Sequence, residues 1–118
     1  MRVGDIFTMQ WGYDQTNNTF YRIKALRGKT QAVIQEVDLA VKRCDAVGPM
    51  SADYEYDCDK YALCSRSVFI TDNDKGRIVK IQKERWCPND CEAQEGFYIE
   101  HHFCSPYKGQ RLYESWYA

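Results

Sequence analysis

Ile6, Phe7, Met9 and Trp11 follow a Gly4-Asp5 entry and form the first of several apolar runs of strand length. Polar residues from Asp14 to Thr19 make a turn, and Phe20-Tyr21-Arg22-Ile23-Lys24-Ala25-Leu26 reads as a second strand. Arg27-Gly28-Lys29 is a short glycine-containing connection of the hairpin type, so a third strand is expected from about Thr30 to Val37. The first forty residues therefore predict a β-meander.

Val33, Val37, Val41 and Cys44 also recur at spacings that suit one face of a helix. The adjacent Gly28 and the β-branched Thr30, Val33, Ile34 and Val37 tip this segment towards strand. Between Cys44 and Cys64 the pattern breaks, with a Gly48-Pro49 loop signal and an acidic run, which predicts an irregular excursion. Ser67 to Thr71 then reads as a strand, Asp72 to Gly76 as a turn, and Arg77 to Lys83 as the returning strand. Val79 and Ile81 share one face of that strand at period two. Cys87-Pro88-Asn89-Asp90-Cys91 predicts a tight loop, Phe97 to Phe103 a strand, and Tyr113 to Trp116 a last aromatic strand. The expected fold is mainly β, one domain over 1–118: a small bent antiparallel sheet or Src-homology-like barrel with a cysteine-rich insertion.

Composition agrees with an ordinary folded domain. A chain of 118 residues has the usual size of one domain, and 44% hydrophobic with 28% charged residues excludes a disordered composition. Nine Tyr and three Trp raise the expectation of both strands and interfaces. A net charge of −1 argues against a protein held to nucleic acid mainly through phosphates. Acidic residues nevertheless crowd at Asp45, Asp53, Glu55, Asp57 and Asp59, and basic ones at Arg77, Lys80, Lys83 and Arg85. The opening Met1-Arg2-Val3-Gly4-Asp5 lacks the apolar core of a signal peptide, and no run approaches the roughly 20 apolar residues of a membrane span. The expected location is cytoplasmic. In that reducing compartment six cysteines point to metal binding before disulfides.

Trp11-Gly12-Tyr13-Asp14-Gln15-Thr16-Asn17, with Phe20-Tyr21 behind it, is the most distinctive motif. Turn chemistry accounts for its residue types: Gly12 permits a tight turn, and Asp14, Thr16 and Asn17 bond nearby backbone. A polar-aromatic recognition loop is the functional alternative. With the ending Tyr113-Glu114-Ser115-Trp116-Tyr117-Ala118, the motif resembles a family of small phage and mobile-element proteins of bacteria. That resemblance implies an accessory or anti-defence protein. In size and cysteine use the chain is similar to zinc-containing inhibitors of type II CRISPR effector nucleases, which implies such a host nuclease as partner and the host cytoplasm as location. The central cysteine-rich part departs from the family pattern, so no site there is carried over.

Cys87 and Cys91 flank a short turn, and His101, His102 and Cys104 follow it. Zinc takes four thiolate or imidazole ligands in a tetrahedron, and strand periodicity sets His102 and Cys104 on one face with His101 on the other. The expected site is therefore Cys87, Cys91, His102 and Cys104, a closed structural zinc shell. Cys58 and Cys64 are rival ligands beside Cys87 and Cys91, and buried unliganded thiols are the plainer alternative.

No catalytic pattern is matched. Glu100-His101-His102 is not the His-Glu-x-x-His helix of zinc proteases, the deaminase pattern lacks both halves, and no glycine-rich phosphate loop occurs. The expected function is binding, with Asp53, Glu55, Asp57 and Asp59 as the surface that meets a basic protein partner. The alternative is a small zinc-containing nucleic-acid-binding module using Arg77, Lys80, Lys83 and Arg85 beside Trp86.

Overall fold

The computed structural model describes residues 1–12, 16–83 and 94–115, and every regular element among them is a β-strand. In chain order these are β1 (Ile6–Trp11), β2 (Asn17–Arg27), β3 (Gln31–Gly48), β4 (Ser51–Leu63), β5 (Arg77–Lys80), β6 (Gln82–Lys83), β7 (Glu95–Ile99), β8 (His102–Pro106) and β9 (Leu112–Ser115). All pairings are antiparallel, in the order β6-β7-β8-β1-β2-β3-β4-β9, with β5 on β3. The expectation of a bent antiparallel sheet holds. Its barrel form does not: the ladders leave the sheet open.

Two apolar layers hold the sheet, one on each face. Side chains alternate across a strand, so the neighbours Ile6 and Phe7, or Phe20 and Tyr21, enter different layers. Phe7, Met9, Tyr21, Ile23, Ala32 and Ile34 form the first with Phe97, Ile99 and Cys104 from the β7–β8 hairpin. Ile6, Phe20, Val37 and Leu39 form the second with Tyr56 and Tyr107. Burial on both faces explains why β1 carries four buried residues in a row, Ile6 to Met9, where a half-solvated strand would alternate.

Strand β3 is the spine of the molecule. It pairs with β2 through Gln31–Val37 on one edge, and with β5 at residues 31–34 and β4 from Val37 onward on the other. Between β5 and β4 the backbone of Glu36 has no strand opposite it, and Asn73 fills the gap. Its side-chain oxygen accepts from Glu36 N–H at 2.8 Å, and its Nδ2 donates to Glu36 C=O at 2.9 Å and Cys64 C=O at 2.7 Å. Just beyond, Gly76 has φ +87, and a Cβ there would lie 2.7 Å from the carbonyl oxygen of Ile34. Only glycine lets the chain turn so close to β3.

Three local expectations are corrected. The Cys44–Cys64 region is not irregular: β3 and β4 form one long hairpin closed by Pro49 and Met50, with Met50 at φ 55. The alternation Asp53, Glu55, Asp57 against Ala52, Tyr54, Tyr56 marks the strand there, although the acidic residues obscured it. Ser67 to Thr71 is not a strand but part of the irregular connection held by Asn73 and by Ser67, whose hydroxyl donates to Glu36. Phe97 to Phe103 is a hairpin, because Glu100 and His101 take positive φ of 47° and 73° and reverse the chain. The helical alternative across Val33, Val37, Val41 and Cys44 gives way to continuous strand β3.

Candidate binding surface

The acidic residues of β4 acquire their arrangement from strand periodicity. Ala52 and Tyr56 are buried and Tyr54 packs beside them, so Asp53, Glu55 and Asp57 project from the opposite face. Register puts Asp45 of β3 across from Asp53, and Arg43 across from Glu55. Arg111 reaches in ahead of β9 and bridges two carboxylates, at 3.1 Å from Asp45 and 3.2 Å from Asp53. Arg43 Nε adds a third contact, 2.9 Å from Asp45. Asp53 is therefore neutralised within the molecule.

The acids further along β4 are not. Glu55, Asp57 and Asp59 form no ion pair with any described residue. At this point the β3–β4 register slips, from Ala40 opposite Asp57 to Leu39 opposite Tyr61, so Cys58, Asp59 and Lys60 bulge from the ladder. The Asp57 carboxylate accepts from Asp59 N–H at 2.9 Å and fixes that bulge. The result is a short anionic ridge along β4.

The cysteine and histidine positions divide differently from their expected grouping. Cys87 and Cys91 lie outside the described residues. Cys104 is fully buried in the first apolar layer, where burial pushes its thiol up to about 12. His102 opens β8 and is exposed. Cys58 sits against the second layer with its sulfur 3.6 Å from the Tyr107 carbonyl oxygen, and burial raises its thiol. Cys64 follows the end of β4, where burial and then the Glu36 carboxylate push its thiol up to about 12. Among the described residues, no group of three or more His, Cys, Asp or Glu side chains is placed to hold a metal ion.

The basic run is equally divided. Arg77 is tied down, with Nη1 donating to Phe69 C=O at 3.0 Å and lying 3.6 Å from Glu100. Lys80 and Lys83 are exposed, and Arg85 and Trp86 fall outside the described residues.

The distinctive motif joins the two ends of the chain. Trp11 Nε1 donates to Thr19 Oγ1 at 2.7 Å, and its ring meets Phe69 edge-on. Thr16 N–H donates to Ser115 Oγ at 2.8 Å, and Ser115 N–H donates back to Thr16 C=O at 3.2 Å. Asn18 Nδ2 adds a bond to Tyr113 C=O. These bonds favour the structural reading of the motif's flanks, while Tyr13, Asp14 and Gln15 lie outside the described residues.

Among the features that sequence reasoning missed is a cleft of about 220 Å³ whose lining includes Asn18, Glu36, Asp38, Tyr56 and Glu114. Its residues come from four strands, so no local spacing signals it. Glu114 accepts from the Tyr56 hydroxyl at 2.7 Å, and burial together with that carboxylate raises the phenol.

Compared with known proteins, the chain matches no family model, no curated protein and no solved structure. Fold and surface together define an antiparallel β protein with an anionic strand ridge. Among the described residues no helix is long and apolar enough to cross a membrane.

Proposed function

We propose that this protein is a phage-encoded anti-defence binding protein that docks on a host type II CRISPR effector nuclease and blocks its DNA targeting in the host cytoplasm. The observation that carries the reading is the ridge of Glu55, Asp57 and Asp59, whose charge nothing described in the chain neutralises. Effector nucleases of this class hold the guide–target duplex in a positively charged channel. A strand bearing several carboxylates without an ion-pair partner among the described residues suits such a channel and would exclude DNA from it by occupying the same cations. The likeness of the Trp11 to Asn17 motif and the aromatic ending to small phage proteins supports the choice of partner.

A structural zinc belongs to the same proposal. The Cys87–Cys91 spacing and the nearby His102 supply the donor types. Cys104 would have to contribute as a buried thiolate drawn from the apolar layer, and Cys58 and Cys64 remain the alternative donors. Bound there, the metal would tie the Cys87–Cys91 segment to β8 and leave no open position for chemistry.

The test is a pull-down of the purified effector at low salt, with the Asp57→Lys/Asp59→Lys variant beside the wild type. Capture by the wild type and its loss in the variant support the reading. An empty wild-type lane contradicts it.

A further inference from the structure

Several cations of this chain lie away from the acidic ridge of β4, and the strand register shows where they gather. On β2, β3 and β5 one cross-strand row is Arg27, Gln31 and Lys80, and the next row on the same face is Ala25, Val33 and Ile78. The alternate positions Ala32 and Ile34 are buried in the first apolar layer, so these rows form the outward face. Arg27, Gln31, Ile78 and Lys80 are exposed, as is Lys29 in the β2–β3 turn. Arg27, Lys29 and Lys80 form no ion pair with a described residue, whereas Asp45 and Asp53 at the far end of β3–β4 are compensated by Arg43 and Arg111. The net charge of −1 therefore conceals a face on which Arg27, Lys29 and Lys80 have no ion-pair partner among the described residues.

We propose that this outward face of β2–β3–β5 is a second contact surface and takes the phosphate backbone of a nucleic acid. Neighbouring strands lie about 4.8 Å apart, so Arg27 and Lys80 flank Gln31 at about 10 Å, a span over which a polyanion can meet both. Gln31 supplies donor and acceptor groups between the two cations. Ala25, Val33 and Ile78 give a flat apolar strip without an aromatic ring. Protein-binding surfaces draw their energy from Trp, Tyr or Arg anchors seated in desolvated pockets, and this face has no such aromatic anchor. A spread polyanion needs only dispersed cations. The ring at the edge of this face, Tyr61, is covered by the Arg22 guanidinium at 4.8 Å, so binding is electrostatic, indifferent to sequence and steeply salt-dependent. The proposal is independent of the anionic ridge, which lies on β4.

Fluorescence anisotropy with a labelled oligonucleotide tests it, single-stranded and duplex in separate arms, at about 50 mM and about 200 mM salt. Wild-type protein should bind at the lower salt and weaken by roughly tenfold or more at the higher. Arg27→Glu/Lys80→Glu should abolish binding while keeping the wild-type circular dichroism and melting temperature, since both side chains are exposed. Lys60→Glu, an exposed cation on β4, should retain most of it. No binding at low salt overturns the proposal, as does equal binding by the double variant. Polyglutamate competing as well as nucleic acid at matched charge would assign the face to an acidic protein instead, and also overturns it.

Discussion

The side-chain amide of Asn73 pairs with both backbone groups of Glu36, at 2.8 Å and 2.9 Å, and so takes the place of a missing strand residue. One edge of β3 serves two strands in succession, and this amide bridges the break between them. Asn73 is only 5% exposed, so the N–H of Glu36 has little other recourse, whereas the C=O of Glu36 also accepts from Cys64 N–H at 3.1 Å.

Asn73→Ala should cost about 2–4 kcal/mol, because it takes a partner from the N–H of Glu36 and the C=O of Cys64 in a buried setting, while the C=O of Glu36 keeps the Cys64 N–H at 3.1 Å. Asn73→Asp should cost at least as much, since a carboxylate keeps the acceptor but opposes the carbonyls of Glu36 and Cys64. Urea denaturation followed by tryptophan fluorescence measures both. A loss below about 0.5 kcal/mol for the alanine variant would show that the bridge is dispensable.

Much of this fold is written in local patterns and some of it is not. The first three strands follow from apolar runs and Gly28, and the structure keeps them, extending β3 to Gly48. The hairpin arm from Cys44 to Cys64 was obscured because acidic residues at every second position, Asp53, Glu55 and Asp57, look like a loop run when counted as charge. Read as alternation with Tyr54 and Tyr56, the same residues mark a strand. The reversal at Glu100 and His101 carries no glycine, so the β7–β8 hairpin had no turn signal to announce it. The neutralisation of Asp53 by Arg111 depends on β9 folding back beside β4, a contact over more than fifty residues that no spacing rule contains.

In the metal-free protein the thiols set an alkaline limit on stability. Cys64 and Cys104 are each pushed from an ordinary value of 9.0 up to about 12, mainly by burial, so folding favours their protonated forms. Above pH 9 the unfolded chain releases those protons before the folded one does, and stability should fall steadily as pH rises towards 12. Below pH 9 these two groups contribute no pH dependence. Melting temperatures of the metal-free protein across pH 8 to 11 check the slope, and Cys104→Ala should reduce it, the remainder coming from Cys64 and from the phenols of Tyr21 and Tyr56, which burial also raises. In the native protein an alkylating reagent at pH 8 should modify the exposed Cys44 well before Cys104.

Metal content separates the zinc proposal from the plainer one of packed thiols. Protein purified without chelator should carry about one zinc per chain, and Cys87→Ser/Cys91→Ser should lose it together with several degrees of melting temperature. Protein that holds no zinc under those conditions contradicts the metal site and leaves the ridge on β4 untouched.

The central claim is that the β4 carboxylates without an ion-pair partner among the described residues hold a basic effector nuclease, and association kinetics measure this most directly. With immobilised effector, wild-type protein should associate rapidly at low salt and slow as salt is added. Asp57→Lys/Asp59→Lys should lower the association rate by roughly tenfold or more. Because it also removes the Asp57 carboxylate that accepts from Asp59 N–H, Asp59→Lys alone, which keeps that bond, should slow association with the melting temperature preserved. Asp53→Lys is not an equivalent control, because it also breaks the Arg111 contact at 3.2 Å. Wild-type binding that is insensitive to both salt and the Asp57/Asp59 reversal, or no binding at all, would contradict the account.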